Sequence, residues 1–263
     1  MVSFTTHFSH AITRRPARSI VDGLRADDGG NPDFDLFLQH HEIYVEELKK
    51  TGAKVTELSA LEEFADCVFV EDTALCLNEG AIIMRPGAPS RAGEAGAMRP
   101  ALEKHFKDVR DIETGHIEGG DILVTAREIL VGRSERTDFE GVASLRKCVA
   151  DWGYTVRELQ TPPDVLHFKT DCGLLDENTI LSTRRLADTG CFENYRVLYT
   201  AEGEEASANA VCFNGVVLMP AGFSKTAEML KAEGYQVVEI PNTEAAKVDG
   251  GMSCLSLRLT PNI

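Results

Sequence analysis

Hydrophobic and polar positions along the chain recur in a fixed unit. "TGAKVTEL" from Thr51, "WGYTVREL" from Trp152 and "EGYQVVEI" from Glu233 each place a glycine and a small or aromatic residue first. Val and an acidic residue then precede Leu or Ile. Each segment follows a stretch with helical apolar spacing, "FDLFLQHHEIYVEELKK", "TDFEGVASLRKCVADW" and "SKTAEMLKA". The glycine therefore reads as a helix C-cap and the residues after it as a strand. Weaker copies, "HFKDVRDIE" from His105 and "ENYRVLYT" from Glu193, bring the count to five.

Between these units lie paired apolar runs with turn residues at their centres. The turns fall at Asn78-Glu79-Gly80, Ala126 to Glu128, Asp176 to Asn178 and Asn214-Gly215, the last a strong hairpin signal. The terminal run "MSCLSLRL" has no such partner after it, and is expected to pair with "HAITRRP" near the N-terminus and close a ring. A unit of hairpin, helix and strand repeated about five times predicts an α/β, cyclic, pseudo-symmetric architecture rather than a doubly wound sheet. No Pro/Gly/Ser-rich linker divides the chain, so a single domain over residues 1–263 is expected.

The remaining composition narrows the function. The chain has 263 residues, 26% of them charged, and a net charge of −15. Acidity of this degree disfavours nucleic acid and anionic membranes as partners and permits a cationic metabolite. No apolar run approaches the roughly 20 residues of a membrane span, and the N-terminal residues lack the apolar core of a signal peptide. The seven cysteines are scattered without a CxxC pair, which predicts a reducing, cytoplasmic setting without disulfides or zinc. The oligomeric state is left open, a homodimer included.

Closing such a ring brings distant strand ends to one axis, where polar residues that interrupt apolar runs carry information. They are Asp66, Glu71 and Asp72 in "ADCVFVED", Glu118 and Asp121 in "IEGGD", His167 in "LHFKT" and Cys254 in "VDGGMSCLSLRL". Buried carboxylates need partners or a bound cation. A Cys, a His and a carboxylate are the parts of an activated thiol nucleophile, and extra carboxylates suit a forked guanidinium. Gly250 and Gly251 are expected to let the backbone turn sharply before Cys254 and let a substrate approach. The other six cysteines read as core packing, and His40-His41 on the first helix as an exposed, solvated pair. "IEGGD" opens a strand rather than a helix, so it is no dinucleotide fingerprint.

Seven blocks in order, "ITRRPARSIVDGL", "DCVFVEDTAL", "RPGAPSRAGE", "IEGGDIL", "SERT", "LHFKT" and "VDGGMSC", resemble the dimethylarginine dimethylaminohydrolases of the guanidine-modifying, or pentein, superfamily. The resemblance runs from about residue 11 to residue 259. It implies a five-bladed α/β propeller and hydrolysis of Nω-methylated or Nω,Nω-dimethylated L-arginine to L-citrulline and a methylamine. It also implies Cys254 as nucleophile, His167 as acid and base, and Glu118 as the group that orients His167. Asp66 and Asp72 would hold guanidinium nitrogens, with Phe69 and Glu71 nearby. Arg91 and Arg136 would grip the substrate carboxylate. Leu24, in a lid, and the Val248 carbonyl would contact the α-amino group. No metal or cofactor is implied. The sequence departs from many relatives at Ala92, where they carry a second arginine.

The rival activities on the same fold are arginine deiminase and amidinotransferase, whose chains are generally longer. Agmatine deiminases end in a different Gly-rich, His-Cys pattern. Arginase chemistry needs an Asp/His manganese cluster of a spacing absent here. A non-catalytic binding module would have lost the Cys, the His or the acid, and all three are present.

Overall fold

In the computed structural model of the protein, which describes residues 5–26 and 29–261, fifteen strands form five separate three-stranded sheets. Four of the sheets have an inner strand, an antiparallel middle strand reached through a short turn, and a parallel outer strand reached through a helical crossover; in the fifth the inner and middle strands come from opposite ends of the described chain. One blade holds β3 (Ala74–Cys76), β4 (Ala81–Ile83) and β5 (Val109–Asp111). The next two hold β6 (Ile122–Val124), β7 (Ile129–Arg133) and β8 (Val156–Gln160), then β9 (Cys172–Leu174), β10 (Thr179–Ser182) and β11 (Arg196–Tyr199). A fourth holds β12 (Val211–Phe213), β13 (Val216–Pro220) and β14 (Gln236–Ile240). The ring-closing blade joins β1 (His10–Arg14) and β2 (Lys54–Leu58) to β15 (Leu257–Leu259), with His10 opposite Leu259 and Ile12 opposite Leu257. This is the five-bladed propeller expected from the repeat.

The turns sit where the apolar pattern breaks. Asn214 and Gly215 both have left-handed backbones, φ 53° and 84°, the geometry of a type I′ hairpin turn. The Asn214 side chain also accepts the Phe8 N–H at 2.7 Å, tying this hairpin to the ring-closing blade. Among the crossover helices, α1 (Phe34–Lys50) and α3 (Phe139–Val149) start at Asp33 and Asp138, whose carboxylates accept backbone N–H groups of their first turns. The expected C-cap glycines Gly52, Gly153 and Gly234 have positive φ of 92°, 81° and 94°.

Helices pack in the seams between blades. Tyr44 and Leu48 of α1 meet Phe213 and Leu218 of the fourth blade described, while Met98 and Leu102 of α2 (Glu94–Leu102) meet Ile83 and Leu257. His41 departs from expectation: α1 turns it into its seam, where it is 1% exposed, and burial holds its pKa down near 4. The third-turn periodicity of α1 places it beside Phe37, Tyr44 and Leu48, so the apolar face is wider than the pattern suggested.

Short 3-10 turns lead into the inner strands and converge on the axis, where two backbones meet with no spare volume. A Cβ on Gly119 would stand 1.9 Å from the Glu71 carbonyl oxygen, while one on Gly96, exposed in α2, would touch nothing within 4 Å. Gly119→Ala is therefore expected to cost about 3 kcal/mol or more, lowering Tm by about 6 °C or more. Gly96→Ala is expected to raise Tm slightly, since it adds about 1 kcal/mol of helix propensity. Differential scanning calorimetry on both variants checks the opposite signs.

Candidate active site

The site lies at one end of the axis and is built from those strand-entry turns. Cys254 sits on the turn Ser253–Leu255, not inside the last strand as the apolar run suggested; the strand proper begins at Leu257. Asp72 lies on the turn Val70–Thr73, Glu118 precedes Gly119–Asp121, and His167 precedes Phe168–Thr170. A narrow cavity is lined by Leu24, Asp66, Phe69, Asp72, Arg91, Arg136, His167, Val248 and Cys254, with Leu166, Asp249 and Gly250 beside them. Nearly all of the residues singled out in the sequence thus share one cavity. Glu118 stands just behind it, fully buried, with Oε2 2.7 Å from Nε2 of His167.

Glu71 is the exception. Its side chain turns to the far face of the axial wall, where Oε1 meets Lys169 Nζ and an Arg258 amino group, and Oε2 accepts the Ser253 hydroxyl at 2.7 Å. There it lines a separate cavity of about 110 Å³ walled by the inner strands. The alternation of side chains around the turn sends Asp72 to the substrate side and Glu71 to the other.

Arg91 lines the cavity but is already engaged. It donates to Asp72 Oδ2 at 2.6 Å, to Glu94 Oε2 and to the Phe69 carbonyl, and it is 4% exposed. Burial opposes its charge, yet Asp72 and Glu94 outweigh that and raise its pKa further. Arg136 is more open, with Nη1 3.8 Å from Glu118 Oε1 and the side chain 21% exposed. Asp66 accepts the Leu24 backbone N–H at 3.0 Å and Asp249 accepts that of Ala26 at 2.6 Å, so the Gly23–Ala26 segment is latched over the cavity by two carboxylates.

The double glycine has a different purpose from a sharp turn. The left-handed residue is Asp249, at φ 57°. Gly250 and Gly251 instead make room: a Cβ on the first would lie 2.3 Å from the Phe69 ring, and on the second 2.2 Å from the Asn209 amide carbon. Asn209, Lys169 and Arg258 were not singled out from the sequence. Their signal was positional, since Asn209 and Lys169 lie just ahead of inner strands, as His167 and Cys254 do.

Charge states follow from the surroundings. Burial disfavours the imidazolium of His167, but Asp72, Asp121 and Glu118 outweigh it and lift its pKa to about 9. Burial also works against the Glu118 carboxylate, and its bond to His167, with Arg91 and Arg136 nearby, brings its pKa down to about 2. The two form an ion pair. Asp121 supports them from behind, accepting from Ser134, Thr137 and the Phe168 N–H. Cys254 is pushed the other way, to about 12, by burial and then by Glu71 and Asp72. Cys254 is therefore a neutral thiol in the same cavity as the His167 imidazolium. Asp72, Glu118 and His167 present ligand-type atoms within 4.8 Å of one another, but Gly120 N–H, Arg91 and their mutual bond already occupy them.

A five-bladed ring with a cysteine, a histidine and a carboxylate at its axis defines a guanidine-modifying enzyme of the pentein superfamily. The arginine deiminase family model matches residues 59–213. The chain is 36% identical over 253 residues to an N(G),N(G)-dimethylarginine dimethylaminohydrolase of Pseudomonas aeruginosa, covering 95% of this chain and 99% of that one. A Streptomyces coelicolor relative of the same name is 32% identical, with 95% and 96% covered. A Pseudomonas aeruginosa structure, a cysteine-to-serine mutant complexed with citrulline, superposes with a TM-score of 0.93 over 96% of this chain and 99% of that one, at 36% identity. The N-terminal domain of the cyanobacterial arginine dihydrolase ArgZ has the same fold, at 21% identity and a TM-score of 0.87 over 96% of this chain and 98% of that one. The chain belongs to the dimethylarginine dimethylaminohydrolase family.

A neutral resting thiol has a measurable signature. Alkylation of Cys254 by iodoacetamide, located by peptide mass mapping, is expected to accelerate about tenfold per pH unit from about 7 to 9 without a plateau. A plateau at neutral pH would mean that the thiolate is stable without substrate.

Proposed function

We propose that the protein hydrolyses Nω-methylated and Nω,Nω-dimethylated L-arginine to L-citrulline and methylamine or dimethylamine through a covalent intermediate on Cys254. The observation that carries this reading is the meeting of Cys254, His167, Asp66 and Asp72 in one narrow cavity, with Glu118 bonded to His167 behind it. Such a site is complementary to a cation, and a bound cation is what the thiol lacks in order to ionise.

As the guanidinium docks against Asp72 and Asp66, the Cys254 thiol releases its proton to solvent. The thiolate attacks the guanidinium carbon, forming a C–S bond and a tetrahedral adduct. His167 gives its proton to the methylated nitrogen, the C–N bond breaks, and the free amine leaves an alkylthiouronium on Cys254. His167, now neutral, takes a proton from a water whose oxygen attacks the same carbon. Collapse of that second adduct breaks the C–S bond, and its hydroxyl proton passes to the departing sulfur, releasing citrulline and restoring the neutral Cys254 thiol. Glu118 keeps His167 cationic for the first proton transfer and oriented for the second. Arg136 takes the substrate carboxylate, with Arg91 holding Asp72 in place beside it. Leu24 and Val248 offer backbone groups to the α-amino end, and Phe69 packs along the aliphatic chain. Glu71 is left out of the substrate contacts, because both its oxygens face the other cavity.

Assays with arginine, monomethylarginine, asymmetric dimethylarginine and agmatine test the reading directly. Citrulline and dimethylamine are expected in equal amounts from asymmetric dimethylarginine; a higher kcat/KM for ammonia release from arginine would move the assignment to a deiminase. Cys254→Ser is expected to abolish turnover with the fold intact, and Arg136→Ala to raise KM at least about tenfold by removing a charge-assisted contact. Amine departure needs the imidazolium, so kcat is expected to fall as pH rises through about 9. Glu118→Gln removes the counter-charge and should bring that fall to lower pH by about one unit or more; an unmoved alkaline limb would take the His167–Glu118 pair out of the rate.

A further inference from the structure

Four of the five strand-entry turns hold a residue already placed in the reaction. Asp72, Glu118, His167 and Cys254 lie two to five residues ahead of β3, β6, β9 and β15. The fifth turn, Glu205–Ala208, leads into β12, and two residues ahead of that strand stands Asn209, 7% exposed. Its Oδ1 accepts the Ser253 backbone N–H at 2.9 Å. Because an N–H can only donate, the amide oxygen must face Ser253, and Nδ2 is thereby aimed at Cys254 Sγ, 3.9 Å away. Gly251 presses against the amide so closely that any side chain there would displace it. The Gly251 backbone N–H acts in the same direction, lowering the thiol's pKa against the burial that raises it.

We propose that Asn209 is a further catalytic residue, a neutral donor that stabilises the Cys254 thiolate as substrate binds and also fixes the turn that carries it. A lysine or arginine in its place would ionise the thiol before substrate arrived and would compete for the carboxylates that take the guanidinium. An amide adds no net charge, and its N–H gains strength only when the sulfur becomes an anion. The long contact to a neutral thiol fits a bond that tightens as charge develops. The inference rests on Cys254 being the nucleophile proposed above, and alkylation, which needs a thiolate but no substrate, tests it separately from hydrolysis.

Asn209→Ala and the isosteric Asn209→Asp are to be compared with the wild type for the pH dependence of Cys254 alkylation and for kcat and KM. Asn209→Ala is expected to slow alkylation about tenfold at a given pH and to lower kcat about 10- to 100-fold, with KM within about threefold. Asn209→Asp, which sets a carboxylate against the sulfur, is expected to slow alkylation further still. Where the alanine variant does not fold, the aspartate variant decides. Folded variants whose alkylation profile coincides with the wild type, or an aspartate variant that reacts as fast, would overturn the proposal and leave Asn209 as packing. If the alkylation profiles shift as expected while even the wild type leaves methylated arginines intact, the thiolate role stands and the substrate reading falls.

Discussion

The catalytic end of the ring hangs on one buried ion cluster around Glu71. Burial alone would neutralise this carboxylate, but Lys169 and Arg258 outweigh it and keep it ionised. Its three partners, Lys169, Arg258 and Ser253, come from the entry to β9, from β15 and from the turn before β15, so a single side chain joins parts of three blades. Arg258 also donates to the Ser253 and Ser256 carbonyls, which clamps both ends of the turn bearing Cys254. Ser256 in turn bonds the buried Tyr44 hydroxyl of α1 at 2.8 Å. Removing one partner from such a cluster leaves an uncompensated buried charge, a cost of about 3–5 kcal/mol. The turn that bears Cys254 is thus tied to a cluster of largely buried charges.

On the substrate side the same element, the turn Val70–Thr73, presents the opposite face of the charge problem. Asp66, Asp72, Glu94 and Glu118 crowd around Arg91, and the surplus of carboxylate lifts the pKa of Glu94, by burial first, to about 6. The neutral thiol follows from burial first, with Glu71 and Asp72 adding to it. A thiol held neutral in this way reacts slowly with electrophiles, and on the proposed reading a bound cation is what ionises it. Selectivity for a cation is then partly a property of the thiol's ionisation, beyond the shape of the cavity.

The fold was legible because its signals are local and repeated. Glycine caps at Gly52, Gly153 and Gly234, and the Asn214-Gly215 turn, act within a few residues, so a single chain displays them. Cys254, His167 and Glu118 were legible because chemistry of that kind needs those residue types near strand ends. What escaped depended on the direction of a side chain. Glu71 and Asp72 are neighbours in sequence and lie on opposite faces of one turn. His41 looked polar and is buried by a seam that forms only when α1 meets the fourth blade. The role of Gly250 and Gly251 lies in Phe69 and Asn209, more than 40 residues away in the case of Asn209. Arg91 reads as a free anion-binding group until its three partners are seen.

The pairing of His10 with Leu259 joins the two ends of the described chain inside one sheet. Contacts of such long sequence separation form late and slowly, because their loop entropy must be met before they contribute stability. Cys254 lies three residues before the strand that makes this closure, so a nascent chain holds no assembled catalytic centre until residue 259 has left the ribosome. The sulfur is consequently the last part of the site to leave the ribosome, and Asp66, Asp72, Glu118 and His167 wait longest for their partner.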